Sequence, residues 1–163
     1  MTSPIVPCLW FDTQAEEAAR YYVGIFKNSK ITAITYYPDE GNEIHGKKAG
    51  TVLTVAFDLN GQPFTALNGG PQFQFSPATS LQVMCEDQAE IDYYWEKLGV
   101  DGDPSAQRCG WVEDKFGFSW QVVPKLVPAL LLDHNSEACR RVFAAIMEMD
   151  KIDIAELQRA YAG

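Results

Sequence analysis

Cys109 is the residue best suited to covalent chemistry. It stands between Arg108 and Gly110, with Trp111 next. A guanidinium beside a thiol favours the thiolate, which is the attacking form. The competing reading is a small buried side chain, and free cysteines are among the most buried residue types. Gln121 is the second candidate. In a strand covering Phe118 to Val123, Phe118, Trp120 and Val122 share one face, and Ser119, Gln121 and Val123 the other. A neutral amide there either orients a ligand or satisfies another buried amide. Trp111, beside the turn, is the tryptophan placed to meet a ligand; Trp10, Trp95 and Trp120 read as core. Asp12, Thr13 and Glu16, and again Asp87 and Glu90, resemble paired acids. They sit at helix starts, where such residues cap exposed N–H groups. His45 and His134 are distant in sequence and form no ligand cluster. Cys8, Cys85, Cys109 and Cys139 are scattered, without CxxC or zinc-ligand spacing.

The totals narrow the partners. The chain has 163 residues, 13 basic against 22 acidic, for a net charge of −9. Such a surface repels phosphate backbones and anionic lipid, so neither nucleic acid nor membrane is an expected partner. No stretch approaches the roughly 20 apolar residues that span a bilayer. Met1-Thr2-Ser3-Pro4 shows no signal-peptide pattern. The expectation is a cytoplasmic protein with free thiols.

The elements that must position these side chains form a repeated pattern. Residues 5–11 read as a strand, followed by a helix capped by Thr13 with Glu16. Ala15, Ala18, Ala19, Tyr22 and Phe26 lie on one face of that helix. Strands follow over 31–37, 51–59 and 62–67, with Asn60-Gly61 as a hairpin turn. Asn68-Gly69-Gly70-Pro71 breaks the sheet, and a loop carries Phe73 and Phe75. The order then restarts: a strand over 79–85, a helix capped by Asp87 with Glu90, a weak second strand over 105–108, and a hairpin turning at Asp114-Lys115-Phe116-Gly117. Both capping segments contain Gln-Ala-Glu, 74 residues apart, and Gly61 with Phe64 matches Gly117 with Trp120. This predicts an internal duplication of βαβββ modules. The tail reads as three helices, over 127–132, 136–149 and from a cap at Asp153 with Glu156.

The chain resembles the PhnB-like family, labelled demethylubiquinone 3-methyltransferase-like, within the glyoxalase/bleomycin-resistance (vicinal oxygen chelate) superfamily. The resemblance rests on Leu9-Trp10-Phe11, Glu16-Glu17-Ala18 with Tyr21-Tyr22, Asn68-Gly69-Gly70-Pro71, Asp92-Tyr93-Tyr94-Trp95, Cys109-Gly110-Trp111, the run Asp114 to Gln121, and the run Met149 to Ala155. It implies two βαβββ modules and a pocket lined from their first and last strands. In metal-using relatives those strands supply His, Glu or Gln ligands. The matching positions here are Val6 or Cys8, Thr65, Ser80 or Gln82, and Gln121. They include no histidine or carboxylate, so no metal and no cofactor is expected.

The reading is therefore an α+β single domain over 1–163, with modules over 1–70 and 78–124 in a cupped mixed sheet and a helical extension over 125–163. Its expected function is metal-independent binding of a small molecule, with sequestration or resistance, as in bleomycin-resistance relatives, as one form the resemblance implies. An enzyme of the same fold, using Cys109 or a metal for lyase, isomerase or oxygenase chemistry, is the alternative. The methyltransferase of the family label ranks third, because no glycine-rich strand-to-helix turn is visible. Helices should cover Phe118, Trp120 and Val122, turning Gln121 into a pocket with Thr65, Gln82, Trp111 and Cys8, and with Phe73 or Phe75 as a lid. Ala138, Val142, Ala145, Ile146 and Met149 form an apolar stripe on the tail helix, which predicts a homodimer.

Overall fold

The computed structural model describes residues 5–163, so Met1-Thr2-Ser3-Pro4 lies outside the described residues. The chain forms two compact units, Met1–Gln74 and Phe75–Gly163. The tail helices belong to the second unit.

The first unit runs β1 (Cys8–Phe11), α1 (Ala15–Ile25), β2 (Lys30–Tyr36), a short α2 (Asn42–His45), β3 (Val52–Leu59) and β4 (Gln62–Asn68). The strands form one mixed sheet in the order β1-β4-β3-β2, with β1 parallel to β4. Alternation decides its faces: Phe64, Ala66 and Asn68 of β4 are buried, and the residues between them are half-buried. The buried face packs on α1 through Ala15, Ala18, Ala19, Tyr22 and Ile25. Asn60 and Gly61 turn the β3–β4 hairpin, both at positive φ, 48° and 83°. That suits a two-residue turn whose twist matches the strands.

The expected Thr13 cap is corrected. α1 has Gln14 at its N-cap position with no side-chain capping bond. Instead the Ala15 N–H donates to Asn68 Oδ1 at 2.8 Å, from the end of β4. Asn68 is buried, its Nδ2 donates to the Val52 carbonyl at 3.1 Å, and its own carbonyl accepts from the Tyr37 hydroxyl at 2.6 Å. A long-range cap also ties the helix to its sheet, which a local one cannot do.

The second unit repeats the plan with one strand fewer. β5 (Ser80–Cys85) leads to α3 (Gln88–Gly99), then to the hairpin β6 (Trp111–Glu113) and β7 (Ser119–Pro124). The sheet order is β5-β7-β6, with β5 parallel to β7. α3 starts as expected, with Asp87 accepting from the Glu90 N–H at 2.9 Å. The strand expected over 105–108 is replaced by a 3₁₀ turn at Pro104–Ala106 and a single bridge between Arg108 and Trp111. Asp103 accepts from the Ser105 N–H at 2.8 Å, and Pro104 has no N–H to give a ladder. Both commit the segment to a turn.

α4 (Val127–Leu130), α5 (Glu137–Glu148) and α6 (Ile154–Ala162) complete this unit. Ser136 and Asp153 cap the last two by accepting from Cys139 N–H and Glu156 N–H. The α5 stripe that predicted a second copy is largely covered by its own chain. Val142 packs with Ile152 and Leu157, and Ala145, Ile146 and Met149 pack against that cluster. What α5 leaves exposed is Phe143 and Met147. No helix among the described residues is long and apolar enough to cross a membrane.

Candidate functional site

The β6–β7 hairpin is held by one carboxylate. Asp114 is 1% exposed and accepts from the Phe116 N–H at 2.9 Å, the Phe118 N–H at 3.1 Å and Trp120 Nε1–H at 2.8 Å. Gly117, at φ 79°, closes the turn by donating to the Asp114 carbonyl at 2.8 Å. This fixes the register of β7. Trp120 and Val122 are buried on the side where α3 packs, with Ile91 and Leu98 of the helix also buried. Gln121 therefore points to the other side.

On that side three candidates stand in one row. Gln82 pairs with Gln121 across β5–β7, and Trp111 with Gln121 across β6–β7. Gln82 Nε2 donates to Gln121 Oε1 at 3.2 Å, and Gln121 Nε2 donates to Ser80 Oγ at 2.7 Å. The two amides do bond to each other, as one sequence reading allowed, but in an open row: Gln82 is exposed and Gln121 half-buried.

Two clefts flank this row. The first, about 270 Å³, has Gln82, Met84, Gln121 and Val123 as its floor. Its roof comes from the tail: Val127, Pro128 and Leu131 after β7, Phe143 and Ile146 of α5, and Ile152. The second, about 500 Å³, is mostly apolar and lies by Trp111, Arg108, Glu113 and Met147. Cys109 borders both. It is half-buried, with φ 53°, and its Sγ lies 4.0 Å from Met147 Sδ. Its N–H donates to the Met149 carbonyl, and the Gly110 N–H to the Asp150 carbonyl, each at 2.7 Å. These bonds tie the loop after α5 to the strand entry. The tail residues of the two clefts went unseen in the sequence reading; Phe143 at the first and Met147 at the second, one turn apart and off the buried stripe, were the available signal.

Three of the remaining candidates belong to the first unit. Cys8 and Thr65 are neighbours across β1–β4 in the first unit, Cys8 exposed and Thr65 half-buried. Phe73 is exposed and meets the Trp10 ring edge-on at 5.0 Å. Phe75 meets Phe118 edge-on at 5.1 Å, and so sits with the Trp120 side of β7. The first unit has its own cleft, about 460 Å³ beside the start of α1, where Lys47 and Asp12 approach to 3.7 Å; no candidate residue lines it. Among the described residues, no three His, Cys, Asp or Glu side chains gather as a cation site would need.

The thiols differ by burial. Cys85 faces away from the amide row and is fully buried. Burial, then the negative charges of Glu90 and Asp87, push its pKa up to about 12. Unfolding returns it to about 9, so the unfolded chain loses this proton first as pH rises. Its contribution to stability is complete below about pH 9 and is lost as pH climbs towards 12. Urea titrations across that range should show stability falling with pH, and Cys85→Ala should flatten the fall. An unchanged slope in the variant would remove Cys85 as the cause.

The pattern of the 3-demethylubiquinone-9 3-methyltransferase family matches residues 3–123. A solved structure from Bacillus cereus, described as a 3-demethylubiquinone-9 3-methyltransferase and PhnB protein, is 37% identical, over 75% of this chain and 99% of its own. Its TM-score is 0.63. The chain belongs to this PhnB-like family. The family recognised from the motifs is thus borne out. A PhnB-like chain of this kind also shares its fold with a Pseudomonas aeruginosa protein, 18% identical over 76% of this chain and 98% of that one, TM-score 0.58. A Staphylococcus aureus protein is 30% identical over 77% and 99% of the two chains, with a TM-score of 0.33. No curated protein matches. The family pattern ends at Val123, so the tail that roofs the first cleft lies outside it.

Proposed function

We propose that the protein binds a small molecule without a metal, on the amide row of the second unit beneath the tail helices. The observation that carries this is the pairing of Gln82 with Gln121 on the floor of a cleft whose other walls are apolar. Apolar walls with a few fixed polar groups are the usual composition of a small-molecule site. The methyl transfer named in the family's description fits less well. Gly69 and Gly70 lead from β4 into Pro71 and a turn, whereas methyl-donor sites of the nucleotide type use a helix start. The proposal includes a cytoplasmic homodimer. Four free cysteines suit a reducing compartment, and Phe143 and Met147 offer apolar contact area.

A second reading, catalysis through Cys109, is favoured by its backbone. A non-glycine residue at φ 53° costs roughly 1 kcal/mol or more, and such strain concentrates at working sites.

Naphthalene, titrated against labelled protein, should shift the methyl signals of Val127, Leu131 and Ile146, equally before and after dialysis against EDTA. Affinity that falls on chelation would put a metal in the site, and shifts confined elsewhere would remove the cleft. Gln121→Leu should change that affinity several-fold while costing only about 1 kcal/mol of stability, because water reaches the half-buried row.

A further inference from the structure

We propose that this cleft selects an uncharged, mainly apolar ligand carrying a carbonyl beside an N–H, as in a lactam, and that Gln82 reads that pair. The proposal rests on the cleft being the binding site.

Three observations carry it. First, among the described residues the lining holds no Asp, Glu, Lys, Arg or His. A carboxylate or phosphate entering it would lose hydration and meet no cation, on a chain of net charge −9. Second, the two amides are unequal. Gln121 uses its Nε2 on Ser80 and its Oε1 on Gln82, and so is engaged at both ends. Gln82 gives one N–H to Gln121 and keeps its carbonyl oxygen and second N–H. Its orientation is thereby set by the chain Gln82–Gln121–Ser80, and Gln82 lines the cleft with its outer edge outside those bonds. That edge offers one acceptor and one donor, the complement of a ligand N–H and C=O. Third, the volume of about 270 Å³ lies just under the range of drug-sized pockets, which suits one or two fused rings.

Three probes built on one fused bicycle separate the terms: 2-quinolone, naphthalene and 2-naphthoate, titrated against the full chain with the Gln side-chain NH₂ and cleft methyl signals as readout. In the wild type, 2-quinolone should shift the Gln82 NH₂ signal, and 2-naphthoate should bind at least tenfold more weakly than naphthalene. Gln82→Leu, an exposed position, should weaken 2-quinolone about tenfold and leave naphthalene as tight or tighter, because only the first loses hydrogen bonds. Equal weakening of both would overturn the reading of the lactam edge while leaving the cleft as the site. Carboxylate binding as tight as naphthalene would overturn the selection against charge. If no cleft signal responds to any probe, the binding site itself is wrong and this inference goes with it.

Discussion

Asp114→Ala should lower the stability of the protein by about 4 kcal/mol, the largest effect expected of any single side-chain truncation here. The carboxylate is buried and receives three N–H groups, two from the turn backbone and one from Trp120. Hydrogen bonds to a charged acceptor are each worth more than neutral ones, and removing the acceptor strands the Phe118 N–H and Trp120 Nε1–H, whose bonds are buried. Trp120 and Phe118 lie in edge contact at 5.4 Å, so the loss also loosens the aromatic packing under α3. Asp114→Asn should cost about half as much, because one amide oxygen replaces one carboxylate oxygen and its NH₂ opposes a donor. Urea denaturation measures both. A loss below about 1 kcal/mol for the alanine variant would mean the turn is not held by this residue. The consequence should extend to the site, since Gln121 adjoins Trp120 and its row depends on the same register.

Gly102→Ala should cost about 3 kcal/mol, by a different mechanism. A Cβ on Gly102 would lie 1.9 Å from the Glu113 carbonyl oxygen and 3.0 Å from its carbon. That neighbour is backbone of β6 and cannot swing aside as a side-chain end can. Either the turn after α3 lifts or β6 bends, and β6 carries Trp111. Gly24→Ala is the control: nothing lies within 4 Å of the added carbon, in the last turn of α1, and alanine favours helix. Thermal melts should show Gly102→Ala well below the wild type and Gly24→Ala at or above it. Similar melting of the two variants would contradict the close docking of Gly102 on β6.

Both predictions concern contacts that a reading of residues in order does not reveal, although much of the fold was legible. Periodicity placed most of the strands to within a residue of those observed, because burying one sheet face forces a two-residue alternation, although β1 starts at Cys8 and not at residue 5. It also placed Trp120 under α3 and Gln121 opposite. Local caps were legible where they are local, as at Asp87 and Asp153. Thr13 misled because the partner of the Ala15 N–H comes from Asn68, 53 residues on. The strand expected over 105–108 failed because Asp103 and Pro104 divert the backbone into a turn, a choice made by one side-chain bond.

By itself the sequence determined the family, the α+β class and the restart of the strand–helix–hairpin order in the second half. These follow from residue types and from periods of two and 3.6, which local sterics and burial impose. Tertiary structure decided the rest. Asp114 reads as a turn opener in sequence and becomes the buried acceptor of Trp120 only when β7 folds back over it. Gln82 and Gln121 are 39 residues apart and meet only through the parallel register of β5 and β7. The roof of their cleft comes from α4 and α5, and it closes over the row because Cys109 and Gly110 bond the backbone at Met149 and Asp150. Which distant groups converge depends on the whole chain's packing, and that is a property no local window of residues contains.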